Sequence, residues 1–424
     1  MSLHVPQRTL AQWLELQEQV HSRAIDLGLG RVGEVAARLR LTPPPYKVVT
    51  VAGTNGKGST VEDITALLMA CGCVVGTLTS PHLLRYNERV RIDAREATDH
   101  ELISVFEHIE AARGEITLTF FEYNLLAALL LFADRKVDVA VLEVGLGGRL
   151  DATNVVDADV GVLVSVGFDH RDWLGDTLDD IGREKAGIFR KRRPAVLGTP
   201  QMPQSVLQTI AALDARPVVA ERDFSWEVLP SGEWHYRGLN ASLSGLPPPA
   251  LAGEIQYRNA ATALAAVEAL LPGQLPEPGI IGAALRSVQL PGRFQVLPGA
   301  VEWILDVSHN EPAAAVLAAN LRARPVSGRT IAVCGILMDK DAAAVGREMA
   351  GRADLWITCT LPGARGCTAA ELAQRLAAQI RVDEQADSVA AGCERARSLA
   401  RPGDRVLVFG SFTTVTAAME WLRL

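Results

Sequence analysis

The 424-residue chain carries one segment whose residue types suit phosphate chemistry. Gly53, Thr54, Asn55, Gly56, Lys57, Gly58, Ser59 and Thr60 follow a β-branched run and precede an apolar stretch. In such a loop glycines let backbone N–H groups approach phosphate oxygens. A helix start adds partial positive charge, the lysine adds a full one, and a hydroxyl can hold Mg²⁺. The segment departs from the common GxxxxGK(S/T) spacing. Val51 stands at the first glycine position, and Gly58 separates Lys57 from Ser59. The alternative is a plain Gly-rich turn, and the strand–loop–helix context favours nucleotide binding.

Three further side chains could serve that chemistry. Ser80, Glu143 and His170 each follow or close a predicted strand. A hydroxyl, a carboxylate and an imidazole at neighbouring strand ends could hold divalent ions beside a γ-phosphate. By residue type alone, a histidine after a strand is more often packed or solvated, and Lys185 reads as a solvated helix charge. Asn259 reads as a helix N-cap. Phe120 and Phe121 suit either ordinary core packing or stacking on a flat heterocycle. Arg190, Lys191, Arg192 and Arg193 read as a solvated turn rather than a polyanion patch.

These residues need strands and helices to hold them. Short apolar runs at 46–52, 73–79, 138–144, 160–166 and 194–198 read as buried parallel strands, with a helix predicted over 57–71. At 224–236, Trp226 and Val228 face Trp234 and Tyr236 across a Pro-Ser-Gly-Glu turn, which predicts a hairpin. A helix is predicted over 259–270. Strands resume at 301–307, 330–337, 354–361 and 405–410, and Thr368 and Glu371 form a capping-box pattern. The expected fold is α/β: an N-terminal P-loop domain with a doubly wound, mainly parallel sheet, then a smaller C-terminal α/β Rossmann-like domain. The boundary is placed near Pro291, giving domains 1–291 and 292–424.

The strings carrying these residues are long. AGTNGKGS is followed by Ser80-Pro81-His82, Phe121-Glu122-Tyr123, EVGLGGRLDATN from Glu143 to Asn154, Asp169-His170, and GREKAGI from Gly182 to Ile188. Asn259-Ala260-Ala261, Pro291-Gly292-Arg293-Phe294 and LDVSHN from Leu305 to Asn310 complete them. Together they resemble the Mur ligase superfamily. The extra glycine after Lys57 resembles its folylpolyglutamate synthase branch, and the nearest likeness is the bifunctional dihydrofolate synthase/folylpolyglutamate synthase family. The resemblance spans nearly the whole chain.

That resemblance implies an ATP-dependent enzyme that joins L-glutamate to dihydropteroate and to folates such as tetrahydrofolate through an acyl phosphate. It implies ATP contacts from Thr54, Asn55, Gly56, Lys57, Gly58 and Ser59, with Asn259, Arg293 and Asp306 at the adenine and ribose end, between the domains. It implies two Mg²⁺ ions, with K⁺ as a further cation, held by Ser59, Ser80, Glu143, His170 and a carbamylated Lys185. Lys57, Lys185 and His309 are the implied catalytic groups. The pterin would be surrounded by Asp26, Leu27, Thr119, Phe120, Phe121, Glu122, Leu150, Asp151 and Ala152. Ser308 and Glu311 depart from the family's usual Ala and Pro.

Composition bounds the alternatives. Hydrophobic residues make up 48% and charged residues 21%, which excludes a disordered chain. A net charge of −7 disfavours a nucleic-acid or membrane-surface binder. The longest uncharged apolar run, 125–133, has nine residues against the ~18–20 a membrane span needs. The N-terminal 20 residues lack an apolar leader core. Cysteines 71, 73, 334, 359, 367 and 393 form no CxxC pair, which indicates neither a disulfide framework nor a zinc knuckle. A reducing cytoplasm is expected, and the family resemblance implies a monomer. A peptidoglycan-precursor ligase competes, but the phosphate loop starts as early as Gly53, leaving little room for a UDP-binding domain. A nucleotide-dependent switch also competes, but it has no use for Lys185.

Overall fold

The run KVVTVA puts β-branched side chains on both sides of an extended backbone. It forms strand β1 (Lys47–Ala52), buried from Val48 onward. The computed structural model describes residues 8–23 and 25–424. Residues 1–7, part of the stretch read for a leader, lie outside the described residues.

Strands β2 (Val75–Leu78), β3 (Val90–Ile92), β4 (Arg95–Glu96), β5 (Val139–Glu143), β6 (Val160–Leu163), β7 (Pro194–Leu197) and β8 (Arg216–Val219) join β1 in one sheet. Its order is β4-β3-β2-β5-β1-β6-β7-β8. All pairs are parallel except β2–β3 and β3–β4. The two antiparallel edge strands are not foreseen from the sequence. Their turn uses Asp93 and Ala94 at φ 49° and 61°, a left-handed pair without the usual glycine or asparagine. Val48, Leu78, Ala140 and Leu142 pack against residues of helices Gly30–Arg38, Asp99–Arg113 and Phe120–Asp134. Val49, Val51 and Val141 alternate with them and are equally buried, so both faces of the sheet are covered.

The predicted hairpin forms as β9 (Ser225–Val228) and β10 (Trp234–Arg237), with Trp234 opposite Val228 and Tyr236 opposite Trp226. A third strand, β11 (Ser242–Leu246), completes a small antiparallel sheet. Glu268 anchors it from helix Ile255–Leu270. This carboxylate, 1% exposed, accepts the Tyr236 hydroxyl at 2.7 Å and the amides of Leu239, Asn240 and Ala241 at 3.1, 2.9 and 2.8 Å. The helix starts at Ile255, so Asn259 lies one turn inside it and is not an N-cap.

Alternation then resumes in β12 (Gln295–Leu297), β13 (Glu302–Asp306), β14 (Thr330–Cys334), β15 (Leu355–Cys359), β16 (Glu384–Ala386) and β17 (Arg405–Phe409). Their order is β12-β13-β17-β14-β15-β16, parallel apart from β12–β13. Ile304, Ala332, Trp356 and Leu407 meet Ala314, Leu317 and Leu372 from flanking helices. The Thr368–Glu371 capping box opens helix Ala369–Leu376.

The chain divides into two units. One holds the described residues through Val166 with His170–Pro248 and Arg258–Val288. The other holds Gly167–Asp169, Pro249–Tyr257 and Gln289–Leu424. This is an α/β fold with a large, mainly parallel-sheet unit and a smaller mixed-sheet unit. Among the described residues no helix is long and apolar enough to cross a membrane.

Candidate functional site

Strand β1 ends at Ala52, and the phosphate loop leads into helix Lys57–Ala70. Gly56, at φ 85°, is the residue before that helix, a conformation other residues enter with strain. The loop is tied to the segment after β6. Thr54 N donates to Ser165 O at 2.9 Å, Asn55 N to Ser165 Oγ at 3.1 Å, and Ser165 Oγ to Asn55 O at 2.9 Å. Lys57 Nζ turns back onto the loop, donating to Gly53 O at 3.0 Å and Thr54 O at 3.4 Å. Gly58 and Ser59 form the first turn of the helix, with Ser59 buried. Asn259 approaches the loop from helix Ile255–Leu270: a Cβ on Gly56 would stand 3.1 Å from its Oδ1.

Lys185 sits near the end of helix Leu178–Ala186, where residue type alone suggested a solvated charge. It is instead 5% exposed, and its Nζ donates to Gly53 O at 3.2 Å. The GLGGR loop explains this placement. A Cβ on Gly148 would stand 2.7 Å from Lys185 O, and Arg149 N donates to Glu184 O at 2.7 Å. Asn154 Nδ2 adds bonds to Arg149 O and Gly187 O at 3.0 and 3.1 Å. Glycine therefore lets the loop lie directly on the helix backbone, and the helix is pinned with its lysine inward.

Glu143 closes β5 with 5% exposure, and its Oε2 accepts Ser80 N at 2.9 Å. The metal-matched carboxylate and serine are thus adjacent. His170 has φ 51° and precedes the four-residue helix Arg171–Leu174, whose Leu174 lies against Gly147 of the glycine loop. Among the described residues no three His, Cys, Asp or Glu side chains form a ready metal cluster. The matched set relies on serine and lysine as well. A carboxylate, a hydroxyl and a carbamate oxygen are hard donors of the kind Mg²⁺ takes, and the burial of Lys185 beside the phosphate loop fits a modified side chain.

The pterin-matched residues also converge. Gly28 N donates to Leu150 O at 3.2 Å. A Cβ on Gly145 would meet the Phe121 ring at 2.9 Å and Asp151 Oδ2 at 3.3 Å. Thr119 caps helix Phe120–Asp134, with Thr119 N donating to Glu122 Oε2 at 2.7 Å. Asp151 precedes Ala152 and caps its short helical turn. Its Oδ2 accepts Leu146 N at 2.8 Å, and its Oδ1 accepts Thr153 N at 3.0 Å and Thr153 Oγ1 at 2.6 Å. Burial pushes this carboxyl up, partly offset by those bonds. Two arginines missed in the sequence complete the area. Arg31 reaches both Asp26 and Glu122. Arg89 is buried, lies 5.3 Å from the Phe120 ring centroid, and donates to His82 Nδ1 at 2.7 Å. Neither lies in a phosphate- or metal-type motif.

In the second unit Asp306 closes β13. Its Oδ2 accepts Phe294 N at 2.8 Å, and its Oδ1 accepts Ser308 N at 2.8 Å and the Ser308 hydroxyl. The departure at Ser308 thus adds a donor to Asp306, whose carboxyl burial pushes up. Glu311 opens helix Glu311–Ala323, where a negative charge suits the helix dipole. Arg293 lies 4.9 Å from the Phe412 ring centroid. His309 Nδ1 faces Val307 O at 2.8 Å, which places a proton on Nδ1, while Nε2 faces Asp169 Oδ2 at 3.5 Å. Asp169 also accepts Asn310 Nδ2 at 3.0 Å and the buried Lys340 Nζ at 2.6 Å. Lys340 too was missed, lying in a loop without a motif.

Residues 51–198 match the Mur ligase middle domain, and residues 292–412 match the Mur ligase glutamate ligase domain. The dihydrofolate synthase/folylpolyglutamate synthase of Escherichia coli strain K12 is 44% identical over 412 residues, covering 97% of this chain and 95% of its own. The Haemophilus influenzae counterpart is 42% identical, covering 96% of each. The solved E. coli FolC in complex with DHPP and ADP superposes with TM-score 0.92 at 44% identity over 98% of both chains. A bifunctional folylpolyglutamate synthase/dihydrofolate synthase with Mn, AMPPNP and L-glutamate bound gives 0.90, at the same identity and coverage. The chain belongs to the dihydrofolate synthase/folylpolyglutamate synthase family of the Mur ligases.

Proposed function

We propose that this chain is an ATP-dependent amide ligase that adds L-glutamate to dihydropteroate and to folates. The carrying observation is its likeness over 98% of the chain to a FolC structure holding DHPP and ADP. The sequence strings for the phosphate loop, the glycine loop and GREKAGI are all present.

A carboxylate is a poor electrophile because its charge repels nucleophiles. Its oxygen attacks the γ-phosphorus of ATP, the bond to the β-phosphate oxygen breaks, and ADP leaves with an acyl phosphate formed. The glutamate amine then attacks the acyl carbon. The tetrahedral intermediate expels phosphate, and the amine proton passes to a base. Lys57 and the backbone amides at the helix start hold the phosphates in line and neutralise their charge. Ser59, Ser80, Glu143, His170 and Lys185 as its carbamate would hold Mg²⁺, which supplies Lewis-acid charge to the transferred phosphoryl group. Arg293, Asp306 and Asn259 are assigned to the nucleoside end, and His309 to glutamate or the γ-phosphate. Asp26, Leu27, Thr119–Glu122 and Leu150–Ala152 are assigned to the pterin. A cytoplasmic setting is supported by six free cysteines, four of them buried.

The test is a substrate panel. Dihydropteroate, tetrahydrofolate and a UDP-muramoyl acid are each offered with ATP and L-glutamate, and ADP release is followed. Release with the two pteroates and none with the UDP acid is expected. The reverse pattern overturns the assignment.

A further inference from the structure

We infer that Arg31 is the positioning residue of the pterin pocket, locking its acidic and loop segments into one shape. This rests on the assignment of Asp26 and Leu27, of Thr119–Glu122 and of Leu150–Ala152 to the pterin.

Arg31 occupies the first turn of helix Gly30–Arg38, where a cation meets the positive end of the helix dipole. The preceding Leu29 gives that helix no side-chain cap. Anionic partners offset that unfavourable placement, and Arg31 has two. Nη1 donates to Asp26 Oδ2 at 2.5 Å, Nη2 to Asp26 O at 2.8 Å, and Nη2 to Glu122 Oε1 at 3.1 Å. Glu122 lies 91 residues away, with only 3% of its side chain exposed. Its other oxygen holds Thr119 N, so one carboxylate fixes both the helix cap and the arginine. Residues 25–28 have no regular secondary structure. On one side Arg31 holds Asp26 most closely, with His21 Nε2 and Arg23 Nη1 at 3.4 and 3.6 Å from the same carboxylate, and on the other the Gly28 to Leu150 bond holds the backbone. The planar fork therefore joins two of the pterin-assigned segments directly, and the Gly28 to Leu150 bond ties the third to them. Lysine, a single point charge, cannot span two carboxylates and a carbonyl in fixed directions.

Arg31 acts through Asp26 and Glu122, so its removal loosens pteroate binding and leaves the phosphate loop alone. The test uses the full-length enzyme with ATP, L-glutamate and dihydropteroate. Arg31→Gln is expected to raise KM for dihydropteroate by roughly tenfold or more, with KM for ATP unchanged. Arg31→Lys should fall between it and wild type. In the Arg31→Gln/Glu122→Gln double variant the two effects should not multiply, because both break one contact. If Arg31→Gln fails to fold, Arg31→Lys carries the test, with thermal unfolding as the folding check. An unchanged dihydropteroate KM in a folded variant overturns the inference, as does an equal rise in both KM values. A wild-type enzyme inactive with dihydropteroate would instead overturn the functional reading.

Discussion

Lys57 and Lys185 donate to the same oxygen, the carbonyl of Gly53, at 3.0 and 3.2 Å. Their nitrogens therefore lie within about 6 Å of one another, where like charges repel appreciably in a partly buried setting. Two developments relieve that repulsion: arrival of a polyphosphate, or conversion of one ammonium to an anion. In the proposed ligase ATP would supply the first at Lys57, and the proposed carbamate would supply the second at Lys185.

Lys185→Ala should abolish ligation, with kcat reduced roughly 10²-fold or more, although it removes a positive charge beside a phosphate loop. Acetate should restore part of the activity by filling the vacated space with a carboxylate. Incorporation of isotope-labelled bicarbonate, read by carbon NMR, checks the carbamate directly. Activity in Lys185→Ala close to wild type would remove it.

Lys57→Ala should lose ATP turnover by roughly 10²-fold or more while keeping its circular dichroism and unfolding midpoint. Its ammonium bonds the backbone carbonyls of Gly53 and Thr54 in its own loop. ADP release and thermal unfolding measured on one preparation separate the two effects.

Asp151→Ala should lower stability by about 1–3 kcal/mol, because it strips acceptors from the amides of Leu146 and Thr153. Asp151→Asn, which keeps one acceptor oxygen, should lose less. Urea unfolding of both variants decides; equal stability of Asp151→Ala and wild type contradicts a stabilising role for these bonds.

A pH prediction follows from Asp63, 2% exposed on the phosphate-loop helix. Burial, then the adjacent Glu62 carboxylate, holds its carboxyl well above the usual 3.8. The folded chain keeps this proton where the unfolded chain has lost it, so the Asp63 contribution declines as pH rises from 3.8 through the folded-state value. Asp63→Asn removes that decline. Its stability advantage over wild type should be absent in acid and grow toward neutral pH. Denaturant midpoints measured across that range check it, and a constant difference between the two proteins refutes it.

Much of this architecture was legible because local chemistry and global role coincide. In KVVTVA-GTNGKGS, β-branched residues make a strand, glycines make the loop, and one string specifies both. The hairpin at Trp226 and Tyr236 showed through alternation. Elements without such agreement did not show. The β3–β4 turn relies on Asp93 and Ala94 in a left-handed conformation that their residue types do not announce. Asn259 suggested a helix start, yet the helix begins a turn earlier at Ile255. Lys185 looked solvated because its burial comes from a loop around Gly148, distant in sequence. Arg31 carried no signal, since its meaning depends on Glu122, 91 residues on.

The turn joining β10 to β11 resembles a place where a chain could be cut, reconnected or fitted with an inserted tag. Glu268 rules that out. Its carboxylate holds three successive amides of the turn and the Tyr236 hydroxyl. Gly238 passes so close that any Cβ there would collide with Glu268 Oε2. The turn's shape thus belongs to a distant helix rather than to its own residues. Circular permutation or loop grafting at 238–241 should fail, whereas the β9–β10 turn, where Gly232 N donates to Leu229 O and Glu233 N to Ser231 Oγ within the turn itself, should accept new sequence.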